Sequence, residues 1–342
     1  MRTHRHSIIL AALTAMVISA CAPSAVGTAP NSTSSASALS IVGFAVPKAA
    51  HDAAQAAFAE KGTTNKTTWT ASYGASGDQS RAVASGLETD VVHFSLEGDL
   101  TRLVDAGIVE KTWQDNSYNG IISTSVVVLA VREGNPKNIQ NWDDLLRDDV
   151  TIVTPNPGSS GSARWNILAA YGSVLAQGGS TEDARTYLRD FFNNVAALPG
   201  SGRDATAAFT SGTGDVLISY ENEAILARQN GEKLDYVIPR STLLIENPAA
   251  VTKDAPPAAT AYLDFIASPE GQNIFAQKGF RPLSPAVKTD SVKGAHDPAN
   301  PFPAPQTLQT INDTFGGWET VNSTFFGDNG LVTAIQLEAG KL

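Results

Sequence analysis

The sequence predicts an α/β protein of two lobes, and three observations carry that expectation. Strand-like and helix-like stretches alternate along most of the chain, as they do where helices cover a sheet. About 300 residues follow the first 38, more than a single hydrophobic core usually serves. The β-branched run Ile122 to Val131, and then Tyr236 to Pro239 followed by Leu243 to Ile245, have the look of strands that cross from one lobe to the other and return.

Residues 1–20 have the form of a lipoprotein signal peptide. Arg2 and Arg5 precede an apolar run from Ile8 to Ile18, and small residues lead into Cys21. Cys21 is the only cysteine, so no intramolecular disulfide can form; the expectation is acylation at Cys21 as a lipid anchor. Residues 21–38, rich in Ala, Ser, Thr and Pro, read as a flexible linker with too little apolar surface to fold.

Residues 39–124 are expected to form the first part of lobe 1, with strands at 39–46, 67–73 and 90–94 and helices at 48–61 and 79–87. Lobe 2 spans 125–240, with strands at 150–154 and 215–220 and helices at 163–171, 182–192 and 223–229. Residues 241–306 rejoin lobe 1 through a helix at 256–266 and another opened by Ser268-Pro269-Glu270, a Ser N-cap before a Pro at N1. Residues 286–306 read as loop, and 307–342 as a tail with helical stretches. The alternation predicts a parallel sheet covered on both faces.

Three Ser/Gly-rich junctions each lead from an extended stretch into a helix: Ser72 to Gln79, Pro157 to Trp165, and Pro199 to Thr206. The first N–H groups of a helix lack internal partners, and the helix dipole places roughly half a positive charge there. Three such starts predict an oxyanion site built from neutral donors. Ser76 to Gln79 also fits a capping box, with the Ser76 hydroxyl on the Gln79 N–H, and Ser201 with Asp204 is box-like. Arg164 and Arg203 stand just inside two of these starts and read as salt-bridging or surface cations.

Composition excludes several functions. With 34 acidic against 24 basic residues the formal charge is −10, and loss of Arg2 and Arg5 with the signal takes it to −12. No basic tract offers a nucleic-acid surface. His51, His93 and His296 lack metal-ligand spacing, so neither a metal nor a cofactor is expected. There is no nucleophile elbow and no phosphate loop, and Asp143-Asp144 and Asp148-Asp149 read as solvated helix ends, so no enzyme is expected.

These segments resemble the sulfate-binding proteins of ABC importers over most of residues 40–326. The shared blocks include Ser72-Tyr73-Gly74-Ala75-Ser76-Gly77, Ser160-Gly161-Ser162-Ala163-Arg164-Trp165-Asn166, Gly214 to Ala224, Ser268 to Gln272 and Phe315-Gly316-Gly317-Trp318. The resemblance implies a type II periplasmic-binding-protein (Venus-flytrap) fold with two crossover strands, closing on a dehydrated sulfate. Ser76, Ser160, Gly161, Ser162, Gly202 and Tyr220 would be the donors, with Arg164, Arg203, Asp204 and Val46 around them. The family has glycine where Ser162 stands, tryptophan where Tyr220 stands, glycine where Asp204 stands and a polar residue where Val46 stands. Asp204 is expected to cap its own helix. The implied protein is a monomeric receptor on the outer face of the cytoplasmic membrane, handing sulfate to a permease and its ATPase. Thiosulfate, molybdate or phosphate is the alternative cargo, and an envelope hydrolase the alternative class.

Overall fold

The computed structural model describes residues 38–61 and 67–341; the expected signal peptide, Cys21 and the linker up to residue 37 lie outside them. Among the described residues no helix is long and apolar enough to cross a membrane.

Strand β1 (Ala38–Phe44) lies in the middle of its sheet, and Leu39, Ile41, Val42 and Phe44 are all buried, as helices on both faces require. Helix α1 (Lys48–Lys61) has the span the sequence suggests and turns Ala50, His51 and Ala54 inward. Strand β2 (Thr68–Gly74) then pairs in parallel with β1, from Ala38↔Thr68 to Phe44↔Gly74. Helix α2 (Ser76–Ala84) returns the chain to β3 (Val91–His93), parallel to β1 on its other side. Helix α3 (Glu97–Asp105), which the sequence did not reveal, buries Leu100 and Leu103 beneath the same sheet.

Strand β4 (Ile121–Arg132) joins the lobes. Its β-branched run is buried from Ile122 to Val131 because it serves two sheets in succession. Alternate residues part company: Val127, Leu129 and Val131 enter the largest core, while Val126, Val128 and Ala130 enter a second. The second lobe follows as β5 (Ile152–Val153), α4 (Gly161–Ala176), α5 (Thr181–Asn193), β6 (Val195–Ala197), α6 (Gly202–Thr210), β7 (Val216–Tyr220), α7 (Glu221–Gln229) and β8 (Leu234–Val237). Strand β9 (Ser241–Val251) returns, pairing antiparallel with the first half of β4 and then with β3. Helices α8 (Pro257–Ala267) and α9 (Pro269–Ala276) complete the first lobe.

The expected all-parallel sheet is not what forms. β1, β2 and β3 lie parallel, as do β5, β6 and β7, but β4 runs against β7, β8 and β9, and β9 runs against β3 and β4. A strand that leaves one lobe and enters the next needs no covering helix between its halves, so the parallel rule does not bind it. The helix expected at 79–87 starts three residues earlier, at Ser76, because the Ser/Gly junction is its first turn.

The tail forms β10 (Thr307–Gln309) along β9, then α10 (Ile311–Phe315), α11 (Trp318–Val321) and α12 (Leu331–Glu338). Gly316 (φ 74°) and Gly317 (φ 96°) make the turn that brings Trp318 edge-on to Trp165 of α4, 4.8 Å between centroids.

Candidate functional site

The three junctions converge. Phe44, Ala45, Val46, Gly74, Ala75 and Ser76 from the first lobe meet Ser160, Gly161, Ser162, Ser201 and Gly202 from the second around a cavity of ≈ 10 Å³. That is far below the roughly 300 Å³ at which pockets for drug-sized organic ligands begin, so it suits only a small guest. Helices α2, α4 and α6 all begin at this cavity, following the extended residues Ala75, Ser160 and Ser201. The backbone N–H groups of Val46, Ser76, Gly161, Ser162 and Gly202 have no hydrogen-bond partner among the described residues. Among the described residues no ionisable side chain lines the cavity. Unpartnered donors at three helix starts favour an anion that accepts hydrogen bonds.

The serines divide their work differently from a capping pattern. Ser76 is not an N-cap: its hydroxyl donates to Asp99 Oδ2 (2.6 Å) and accepts the Ser95 N–H (2.9 Å), so the expected bond to the Gln79 N–H does not form. Gln79 Oε1 accepts from Ser72 instead (3.0 Å). The Ser76 hydroxyl is thereby spent, which leaves its N–H for the cavity. Ser160 and Ser162 bond to each other (Oγ···Oγ 2.7 Å), a pair that retains one free hydroxyl proton. Ser201 caps α6, accepting from the Asp204 N–H (3.1 Å) and donating to Asp204 Oδ2 (2.7 Å). Asp204 thus turns back on its own helix, and the Gly202 N–H stays free.

The charged neighbours face elsewhere. Arg203 grips the buried Glu223 with both Nε (3.0 Å) and Nη2 (2.7 Å), and Nη2 also reaches the Val46 carbonyl across the cleft (3.2 Å). Burial raises the Glu223 carboxyl, and the Arg203 guanidinium opposes that shift. Arg164 donates to Asn322 Oδ1 (3.1 Å) and lies over the Phe326 ring. Burial lowers its pKa, and among the described residues it forms no salt bridge. Tyr220 is buried at the carboxyl end of β7 but does not line the cavity; its hydroxyl meets Ser95 Oγ at 2.8 Å, and burial pushes its phenol well up. The structure therefore brings together five of the six expected donors with Val46, and leaves Tyr220 one residue removed.

The lobes are shut on this cavity. A Cβ added to Gly161 would lie 2.6 Å from Ser95 Cβ, so only glycine lets α4 approach the first lobe here. The Gly77 N–H donates to the Ser159 carbonyl (3.3 Å) and Trp165 Nε1 to the Ser95 carbonyl (2.9 Å), both across the cleft. Ser95 went unnoticed in the sequence because Phe94-Ser95-Leu96 carries no motif. All of its polar partners are at least 19 residues away.

Comparison with known proteins bears on the fold and on the cargo. Residues 39–281 match the family model described as bacterial extracellular solute-binding protein. A sulfate-binding protein of Synechococcus elongatus is 40% identical over 98% of this chain and 96% of its own. A thiosulfate-binding protein of Pseudomonas aeruginosa is 36% identical over 77% and 80%. Among solved structures, the sulfate-binding protein SubI of Mycobacterium tuberculosis superposes with a TM-score of 0.78 at 44% identity, covering 84% of this chain and 98% of that one. A periplasmic thiamin-binding protein (TM-score 0.66, 15% identity, 87% and 98% covered) shares the two-lobed fold alone.

Proposed function

The chain belongs to the bacterial extracellular solute-binding proteins, in the family of the sulfate-binding proteins, and from that premise we propose how it captures and delivers its cargo. It is a receptor that takes sulfate into the interlobe cavity and presents it to an ABC importer. One observation carries the reading: unpartnered N–H groups and a serine pair line the cavity, with no ionisable side chain among them.

Sulfate at neutral pH only accepts hydrogen bonds, and each of its oxygens can face an N–H of Val46, Ser76, Gly161, Ser162 or Gly202, or the free proton of the Ser160–Ser162 pair. Inside a dry cavity those fixed dipoles act with little dielectric screening. Hydrogen phosphate brings a proton of its own. No carboxylate lines the cavity to receive it, and an N–H left facing that P–OH costs about 1–3 kcal/mol. Because donors come from both lobes, the ion completes the site only in the closed form and shifts the equilibrium toward it.

The site carries no activated nucleophile and serves binding and release, not turnover. Calorimetry against sulfate, thiosulfate, molybdate and phosphate tests the cargo: sulfate tightest is the expected result, and thiosulfate tightest transfers the chain to the reading its thiosulfate-binding relatives support. Aryl sulfate left intact by the protein separates receptor from hydrolase.

The receptor works as a monomer held on the outer face of the cytoplasmic membrane by a lipid on Cys21, with the Ser/Thr/Pro-rich linker as its tether. Cys21→Ser is expected to release it from membranes with sulfate affinity unchanged. Retention of that variant through a high-salt wash would refute the anchor.

A further inference from the structure

We propose that Ser95, between β3 and α3, is a positioning residue that couples closure of the two lobes to the order of the anion cavity. The inference rests on the reading of that cavity as an oxyanion site.

Ser95 is fully buried, and its polar groups are used in both directions. Its N–H donates to Ser76 Oγ (2.9 Å), which in turn donates to Asp99, fixing the first residue of α2 at the cavity. Its carbonyl accepts from Asn247 Nδ2 (3.1 Å) of its own lobe and from Trp165 Nε1 (2.9 Å) of the other. Its hydroxyl meets the Tyr220 hydroxyl (2.8 Å), again from the other lobe. Two of these partners belong to the second lobe, so they reach Ser95 only when the cleft is shut.

The Ser95 carbonyl that Trp165 reaches is met from behind by a buried chain of hydrogen bonds. A carbonyl cannot donate, so Asn247 must present its NH₂ to Ser95 and its Oδ1 to Ser123 Oγ (3.3 Å). Ser123 therefore donates to Asn247 and accepts from His93 Nε2 (3.2 Å). His93 Nδ1 then accepts from His51 Nε2 (2.8 Å), and His51 Nδ1 accepts from the Tyr262 hydroxyl (2.9 Å). One polarity runs through all five links and requires both imidazoles neutral with the proton on Nε2. Burial favours that state, holding His51 at about 3 and His93 well below its usual value, to which His51 also contributes.

Tyr220 thus acts on closure through Ser95, not on the anion. The test is a double-mutant cycle in the full-length protein, with sulfate affinity from calorimetry, release rate from stopped flow and melting of the ligand-free form. Ser95→Ala and Tyr220→Phe are each expected to weaken sulfate by about three- to tenfold through faster release. The double variant should match the weaker single within about twofold, because both changes cut one bond. Ligand-free melting should stay within about 2 °C of the parent, since the bond forms only on closure. The inference is overturned if the two losses multiply, as they would were Tyr220 a direct donor to the ion. It is also overturned if both singles bind within twofold of the parent, or if ligand-free stability falls in step with affinity. Should Ser95→Ala fail to fold, Ser95→Gly, which removes the same hydroxyl, replaces it in the cycle with the same expected coupling. A parent that binds no oxyanion is seen before any variant is made and overturns the function reading itself.

Discussion

Helix starts at the cleft and helix starts at the surface use the same residues to opposite ends. On the surface, Ser180 accepts from the Asp183 N–H (3.1 Å) while Asp183 Oδ2 takes the Ser180 N–H (2.8 Å), a closed capping box on α5. Ser268 on α9 and Thr310 on α10 likewise accept from the backbone three residues on. At the cleft, Ala75 and Ser160 make no side-chain cap, and Ser76 and Ser160 send their hydroxyls to Asp99 and Ser162. The first group satisfies its own N–H donors; α2 and α4 keep theirs for a guest. At α6 Ser201 caps the Asp204 N–H as a surface serine does, and the Gly202 N–H alone is left to the cavity.

The largest effect expected from this contrast is at Gly161. Its Cβ would strike Ser95 only in the closed form, so Gly161→Ala should cost more than about a hundredfold in sulfate affinity. Ligand-free stability should hold or rise by up to ~1 kcal/mol, because alanine suits a first turn better than glycine. A variant that binds sulfate within tenfold of the parent would break the account of closure.

Acid should sharpen the contrast between a neutral cleft and a titrating core. His51 is held at about 3 and His93 well below its usual value, so both bind protons in the unfolded chain before they do in the folded one. Their contribution to stability is fully present above about pH 6.5 and is lost as pH falls from there toward 3. The slope is about 1.4 kcal/mol per pH unit for each. Denaturant melts between pH 7 and 4.5 should show this loss, and the parallel variant His93→Gln should roughly halve the slope. A stability flat over that range would contradict two buried neutral imidazoles.

The smallest effect separates the two kinds of serine. Ser180→Ala should lower stability by about 1 kcal/mol with sulfate affinity unchanged, the ordinary result of losing a cap. Ser160→Ala should leave stability nearly unchanged and weaken sulfate by about tenfold, since Ser162 loses the hydroxyl that orients it at the cavity. The same response from both variants would erase the distinction.

How far the sequence reveals this follows from the range of the interactions. The junctions were legible because Ser and Gly before a helical pattern are local signals, and Asp204 turning back on α6 follows from spacing alone. The Ser76 capping box was misjudged because Asp99, 23 residues on, takes its hydroxyl. Tyr220 was placed correctly at the end of β7, but the aim of its hydroxyl depends on Ser95, 125 residues away in the chain. The outgoing crossover strand was visible as a β-branched run, and the return one only in Leu243 to Ile245, because Tyr236 belongs to the separate strand β8; their antiparallel sense is set by pairing with each other. Helix α3 was hidden by its length of nine residues and by Gly98 within it.

The central claim is that neutral donors alone select the ion, and calorimetry of sulfate against phosphate from pH 6 to 8 tests it most directly. The account expects a sulfate affinity constant within about twofold across that range, with phosphate at least about tenfold weaker throughout. Phosphate bound as tightly as sulfate, or a sulfate affinity that follows a titration between pH 6 and 8, would contradict it.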